Sequence, residues 1–531
     1  MRLKIFICFL FSIAAVYAQD DKSKNPTVEL PDFVITGSSK VSIKKVDKVK
    51  PDFVSTISED FIKPIYSPED FEIGNFSNPI KGDLSFLNEV SFFKGNIAAG
   101  VGLYTIPTLD ANYAYPFKNG IIEGMFSGDY VREYVDNSDR YRTRLGFNFT
   151  YWSDIDGVFL PGTQFNANGN FGTTSFKFFA SDNPTERRSI NYGKIEADIK
   201  NDFGKNFLFG ITATNNIATI SEEEFTEYNL RLKGEALIKL AAFNIGGIVD
   251  YRNHSLKNLL GDESGKDFLL LRPTAGLNFT KLIKGSFGWT FSRGAGETYN
   301  ALYASVAIKL QKNITVFGEY NPSSEFMSPG NYLLKNNYFK VDSIGSIYWE
   351  KSNAFNASIK YEFDKYFQID GGIKYFSSDK FPYFVQSSLS GKFDLNYADM
   401  KSISPYANFL FYLGPFGQFY SSIEYAGYTD SDGHNIPYLP KLNLNAVYSY
   451  KFPNGIMSSV KLDYQSKRYS DIKNQNSLGD YFDLGLSLLY TFKQNLDFTL
   501  DINNILNQKN YLWNGYQEVP VNIILGINYR L

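Results

Sequence analysis

Beyond residue 8 the chain contains no cysteine. That excludes a disulfide framework and every metal site built on thiolates. Histidine is nearly as scarce: the chain has 2, His254 and His434, in separate segments that read as solvated loops. A histidine metal cluster or a histidine-activated nucleophile therefore lacks members. Gly-x-Ser-x-Gly, the phosphate-binding glycine loop and the His-Glu-x-x-His helix are all missing. The acidic run Glu222-Glu223-Glu224 reads as a solvated turn. The sequence offers no catalytic residue, no metal site and no cofactor site, and a non-enzyme is expected. An excess of one charge is absent too. With 53 Lys and Arg against 56 Asp and Glu the formal charge is −3, without the basic stripe of a nucleic-acid binder, so no nucleic acid is expected as partner. Finally, past the N-terminus there is no run of about 18 apolar residues, which excludes helical membrane spans. If this chain crosses a membrane, it does so with strands.

The N-terminus reads Met1-Arg2-Leu3-Lys4, an apolar run from Ile5 to Val16, and then Tyr17-Ala18. This is the pattern of a secretory signal over residues 1–18. The run is too short to span a bilayer as a helix and is followed by Asp20-Asp21-Lys22. Cys8 lies within this leader and lacks the small residues of a lipoprotein box, so the exported chain is expected to carry no cysteine.

Aromatic residues are plentiful, with 38 Tyr and 48 Phe. Strands and the interfacial girdles of a membrane barrel both use such side chains. Their arrangement decides between ordinary core and barrel. In the last twelve residues, Val521, Ile523, Leu525, Ile527, Tyr529 and Leu531 share one strand face, while Asn522, Gly526, Asn528 and Arg530 take the other, with Ile524 the one exception. The same alternation recurs in Ile122 to Tyr130, Phe355 to Phe363, Leu442 to Phe452 and Leu496 to Asn503. Polar groups on the second face are costly in lipid and must look into a wet interior. Tight turns at Lys118-Asn119-Gly120, Asp364-Lys365, Pro453-Asn454-Gly455 and Lys493-Gln494-Asn495 alternate with longer segments at Asn253 to Lys266, Asn321 to Asn353, Tyr428 to Pro440 and Asn504 to Glu518. The fold expected for residues 86–531 is all-β, a large antiparallel transmembrane β-barrel of about 22 strands, with turns on the periplasmic side and loops outside. The site expected is the outer membrane of a Gram-negative cell, with its lipids as the first partners.

Residues 19–85 are rich in Lys, Asp, Ser and Pro and show little alternation, which predicts a short extended N-terminal periplasmic tail. Pro-Asp-Phe-Val occurs at 31–34 and again at 51–54. Pro31, Asp32, Phe33, Val34, Ile35 and Thr36 are candidates for docking a partner by strand addition, or for packing against the barrel mouth. In the last long loop Tyr511, Trp513 and Tyr516 are candidate ligand contacts, suited to stacking on a sugar ring or to the interfacial girdle. The inward-facing Lys360, Glu362, Asp497, Asp501 and Arg530 carry both signs, so no preference for anions or cations follows.

The run Leu496-Asp497-Phe498-Thr499-Leu500-Asp501-Ile502-Asn503-Asn504-Ile505-Leu506-Asn507, the following Tyr511 and Gly515-Tyr516, and the closing strand to Leu531 resemble the C-terminal hairpin of TonB-dependent outer-membrane receptors. Val28 to Gly37 is similar to the stretch around their TonB box, the strand offered to an energy-coupling periplasmic protein. The resemblance implies uptake or passage of a solute across the outer membrane, with that protein as partner. It departs in one respect. Those receptors place a globular plug before the barrel, and residues 19–85 are too few and lack its Pro-Gly-Val and Arg-Gly elements. Two substitutes are open: the tail, residues 19–85, lodged in the lumen as a reduced plug, or a separate plug or surface protein. The alternative expectation is a non-transporting scaffold that binds partner proteins through its tail and long loops.

Overall fold

A computed structural model describes residues 94–154, 160–201, 206–240, 243–278, 282–311, 313–342, 344–363, 367–412 and 416–531. The leader, the tail with Pro31 to Thr36, and the boundary at residue 86 lie outside the described residues.

The wall strands of the described chain form one antiparallel meander in which each wall strand pairs with the next one along the chain, and two short hairpins lie outside it. Its sheet has 24 strands, of which Ser323–Met327 and Gly427–Thr429 are short extensions paired above the wall with Ile347–Lys351 and Lys401–Ile403. The remaining 22 close on themselves, because Gly95–Gly102 pairs with Asn522–Arg530 from Asn96↔Arg530 to Gly102↔Ile524. Closure removes both sheet edges, the condition for placing strands in lipid.

Period two sets which side chains meet that lipid. On the last strand Leu525 is 59% exposed and Ile523, Ile527 and Tyr529 are exposed with it. On Ile347–Phe363, Phe355 and Ile359 point out, whereas Asn356 and Lys360 between them are buried on the inner face, Lys360 at 2%. An apolar outer wall around a polar inner one is a transmembrane barrel, and its place is the outer membrane. Rows of rings mark one rim. Phe367 neighbours Tyr361 at 5.7 Å and Phe411 at 6.0 Å, Phe411 neighbours Phe419 at 6.0 Å, and Phe117 stacks on Phe149 at 5.9 Å, all near the short turns.

Two expected loops are shorter than the sequence suggests. Asn253 to Lys266 is mostly strand: Phe243–Asn258 and Gly261–Asn278 are joined by Leu259-Leu260 alone. Ile347 to Asn353 likewise belongs to the strand Ile347–Phe363. These strands run past the apolar band into water, where the outer face is polar as well, so alternation fades while the ladder continues. Strands of 20 residues, Phe367–Gln386 and Phe393–Tyr412, show the same overhang, since a bilayer needs only about 9–11.

Candidate functional site: the loop-packed mouth of the barrel

The long-loop end of the barrel is filled by its own loops. Residues 321–346 leave the wall after Ile314–Tyr320, make the helix Pro329–Lys335, and fold over the inner face. The helix starts where it does because Ser328 and Asn331 form a capping box and Pro329 stands at the first helical position.

Inward-pointing wall residues hold this loop. Glu227 accepts hydrogen bonds from the Gly330 amide at 2.7 Å and from the Ser328 hydroxyl, at the helix N-terminus. Arg188, on Arg187–Asn201, donates from Nη1 to the carbonyls of Asn337 at 2.7 Å and Phe339 at 2.8 Å. Its Nε and Nη2 grip the Glu223 carboxylate at 2.7 and 2.8 Å. Asn258 Nδ2 donates to the Val341 carbonyl at 3.1 Å, and Arg252 Nη1 to that of Phe326 at 3.0 Å. Glu263 accepts from the Ser346 amide at 3.1 Å. His254 is 0% exposed, and its Nδ1 lies 2.6 Å from Ser346 Oγ. The solvated-loop reading of His254 is thereby corrected: it belongs to Phe243–Asn258 and is walled in by the loop.

Under these bonds lies an apolar cluster that includes Phe178, Tyr332, Phe339, Phe384, Phe393, Tyr438 and Tyr516. Tyr511, Trp513 and Tyr516 come together on one short hairpin, Tyr511–Trp513 paired with Tyr516–Gln517. Trp513 packs against Phe384 at 5.1 Å, Phe393 at 5.3 Å and Tyr438 at 4.9 Å. Tyr516 is 1% exposed and donates from its hydroxyl to the Gly391 carbonyl at 2.6 Å. The half-buried Tyr511 lends its carbonyl to Arg468 Nη2 at 2.6 Å. These rings face other loops rather than lipid, which corrects the girdle reading. Two glycines permit the approach. Gly391, at φ +73°, would bring a Cβ to 2.7 Å from Ser181 Cβ, and Gly515, at φ +83°, to 2.9 Å from Ala180 Cβ.

Burial in this cap raises the phenols of Tyr332, Tyr338 and Tyr516. Burial, aided by the like charge of Lys351 and opposed by Glu325, brings the Lys335 amine down to about 8. Charge on the inner wall is balanced locally: Arg231 and Arg252 grip Asp250 at 2.7 and 2.9 Å, Arg530 reaches Asp497 at 2.5 Å, and Lys360 pairs with Glu362. Asp501 is half-buried on the same face. Among the described residues one group of metal-ligating type occurs, Asp430, Asp432 and His434, with ligand atoms within 4.8 Å of one another on a loop. His434 Nδ1 already lies 3.3 Å from Asp430.

Sequence reasoning missed Arg188 and Glu227, each of which reads as an ordinary strand charge. A weak signal existed, since both stand at inward parity near the loop ends of their strands.

No family model and no curated protein matches this chain. Solved structures do. The ferric-catecholate import receptor Fiu from K12 E. coli, in its closed form, superposes with a TM-score of 0.59 at 12% identity, covering 83% of this chain and 82% of that one. The siderophore receptor PiuA from Acinetobacter baumannii gives 0.59 at 12% identity, with 83% and 82% covered. The FrpB iron transporter from Neisseria meningitidis gives 0.62 at 10% identity, with 84% and 82% covered. The chain thus carries the barrel fold of the TonB-dependent outer-membrane receptors, the one its closing hairpin resembles.

Proposed function

We propose that this barrel takes a solute across the outer membrane, with the loop-packed mouth as its outer gate. The observation that carries the reading is that a barrel of 22 strands, too wide for its wall side chains to fill, is packed with loops at one end. A static scaffold gains nothing from filling a mouth through which nothing passes. The similar solved proteins are described as receptors or transporters of ferric catecholate, siderophore and iron, so a metal chelate of that kind is the first solute class to test. In this reading Tyr511, Trp513 and Tyr516 meet the solute as the cap loosens, offering ring faces for stacking. Pro31 to Thr36 offers a strand to an energy-coupling periplasmic protein. Transport, rather than catalysis, agrees with the lack of a catalytic constellation in the sequence.

The test is flux. The full chain, reconstituted in a planar bilayer, should pass current or show ligand-dependent gating, and cells lacking it should take up less of the solute. Removing residues 31–36 should abolish energised uptake while leaving solute binding intact. A sealed barrel that neither conducts nor binds any chelate, and that co-purifies with a surface protein, overturns the reading.

A further inference from the structure

We propose that His254 is a proton-controlled latch, which tightens the attachment of the 321–346 loop to the barrel wall as pH falls. The inference rests on the hydrogen-bonding groups around this ring and does not require that the barrel transport anything.

His254 joins three pieces of the molecule. It sits on Phe243–Asn258, its neighbour Glu227 sits on Phe225–Leu240, and Ser346 ends the loop. A third strand, Gly261–Asn278, contributes Glu263. The four side chains form a row. Glu227 Oε1 lies 3.7 Å from His254 Nε2, His254 Nδ1 lies 2.6 Å from Ser346 Oγ, and Ser346 Oγ lies 3.5 Å from Glu263 Oε2. Carboxylates thus stand at both ends, and an imidazole and a hydroxyl lie between them.

The neutral ring leaves this row incomplete. With its proton on Nε2, the ring accepts the Ser346 hydroxyl at Nδ1, and Glu263 receives nothing from that hydroxyl. With its proton on Nδ1 instead, the buried Nε2 turns a bare lone pair toward Glu227, 3.7 Å away. A neutral ring thus serves one end at a time. The imidazolium serves both: Nδ1 donates to Ser346 Oγ, the hydroxyl turns to Glu263, and Nε2–H faces Glu227 with a full positive charge. Glu227 is the residue that also holds the helix N-terminus through Ser328 and Gly330. Only the imidazolium therefore engages both ends of the loop attachment at once, by a donated bond at Ser346 and by charge toward Glu227.

Two cations and three carboxylates stand around this ring. From its own strand Arg252 faces the same side, but it is engaged with Asp250. From Gly261–Asn278, Lys266 is the residue paired with His254 in register, and its amine lies 3.7 Å from Glu263. From Phe225–Leu240 the register partner is the neutral Asn229. From the loop side the ring meets Phe326 edge-on at 6.1 Å. Both nearby cations are matched by carboxylates, and among the described residues His254 is the one basic side chain within ion-pair reach of Glu227.

The experiment is hydrogen exchange of the full chain in lipid nanodiscs between pH 5.5 and 8, with each rate corrected for its chemical pH dependence. Protection of peptides from 328–346 should rise at least about threefold from pH 8 to pH 5.5 in the wild type, the direction expected when an imidazolium contact is gained. His254→Gln, which keeps a hydrogen-bonding side chain without the charge, should remove that rise, and His434→Asn should leave it unchanged. Ser346→Ala, with His254 in place, should weaken the rise, which keeps the test open if His254→Gln fails to assemble. An unchanged pH response in His254→Gln or in Ser346→Ala, or falling wild-type protection on acidification, overturns the latch. Failure of the flux experiment leaves it standing, because exchange reads the loop alone.

Discussion

Tyr338 and Tyr516 lie with their ring centroids 3.4 Å apart and their planes 14° from parallel. One belongs to the loop after the thirteenth barrel strand and the other to the hairpin before the last, so a single stack ties together the two long loops that fill the mouth. Edge-on contact of Phe179 with Tyr516 at 4.9 Å brings in a third loop.

If the stack keeps the cap closed, removing one ring should open it. Tyr516→Ala deletes a fully buried aromatic and its bond to Gly391, a change worth about 3–5 kcal/mol for large-to-small core substitutions. The expected outcome is protease cleavage within 321–346 and within 504–521 at enzyme levels that leave the wild type intact. Bilayer current, in the transport reading, should rise. Unaltered cleavage would show that the stack is incidental to closure.

Arg188 should be costly to replace. Arg188→Met leaves two carbonyls and the Glu223 carboxylate without their donor in a site where the arginine side chain is 1% exposed, and breaking a buried pair costs about 3–5 kcal/mol. Arg188→Lys should rescue little, since an ammonium cannot span the fork. Exchange protection of peptides covering 336–341 measures both variants.

The Lys335 amine should titrate near 8, visible as the lysine resonance with the lowest midpoint after reductive methylation with labelled carbon. Because that value lies below the 10.5 of a free amine, the detached loop binds the proton more tightly than the docked one. Docking therefore strengthens as pH rises from about 8 to 10.5 and is independent of this group below 8. Glu325→Gln, which removes the opposing charge, should lower the midpoint further.

The outer wall and the inner wall should respond oppositely to charge. Leu525→Arg puts a cation on the lipid face, at a cost of about 2–4 kcal/mol near the bilayer midplane, and should reduce assembled barrel. Asp501→Lys, on the neighbouring strand but facing inward, should assemble normally. Recovery of folded protein from outer-membrane fractions compares the two.

Much of the barrel is legible from residue types alone because alternation is local. Phe355, Ile359 and Leu525 face lipid wherever their strands sit in the sheet, since neighbouring side chains of any strand point opposite ways. The closing strand, its aromatic end and the short turns were readable for the same reason. What misled was the stretch above the membrane: Asn253, Ser255 and Lys257 are polar on the outer face too, so a continuing strand looked like a loop. Tyr516 and Trp513 looked like surface rings because nothing in their own segment announces the loops that cover them.

The amino-acid sequence by itself determined that this chain crosses a membrane with strands, and which face of each strand meets lipid, because period two needs no partner to be expressed. Only the tertiary structure decided what fills the mouth. Arg188 and Phe339 stand 151 residues apart, and the bond between them exists because closure of the barrel carries the long loop across the inner wall. Contacts of that kind have no periodicity in the chain, and they are set by where the ring of strands happens to bring inward charges together.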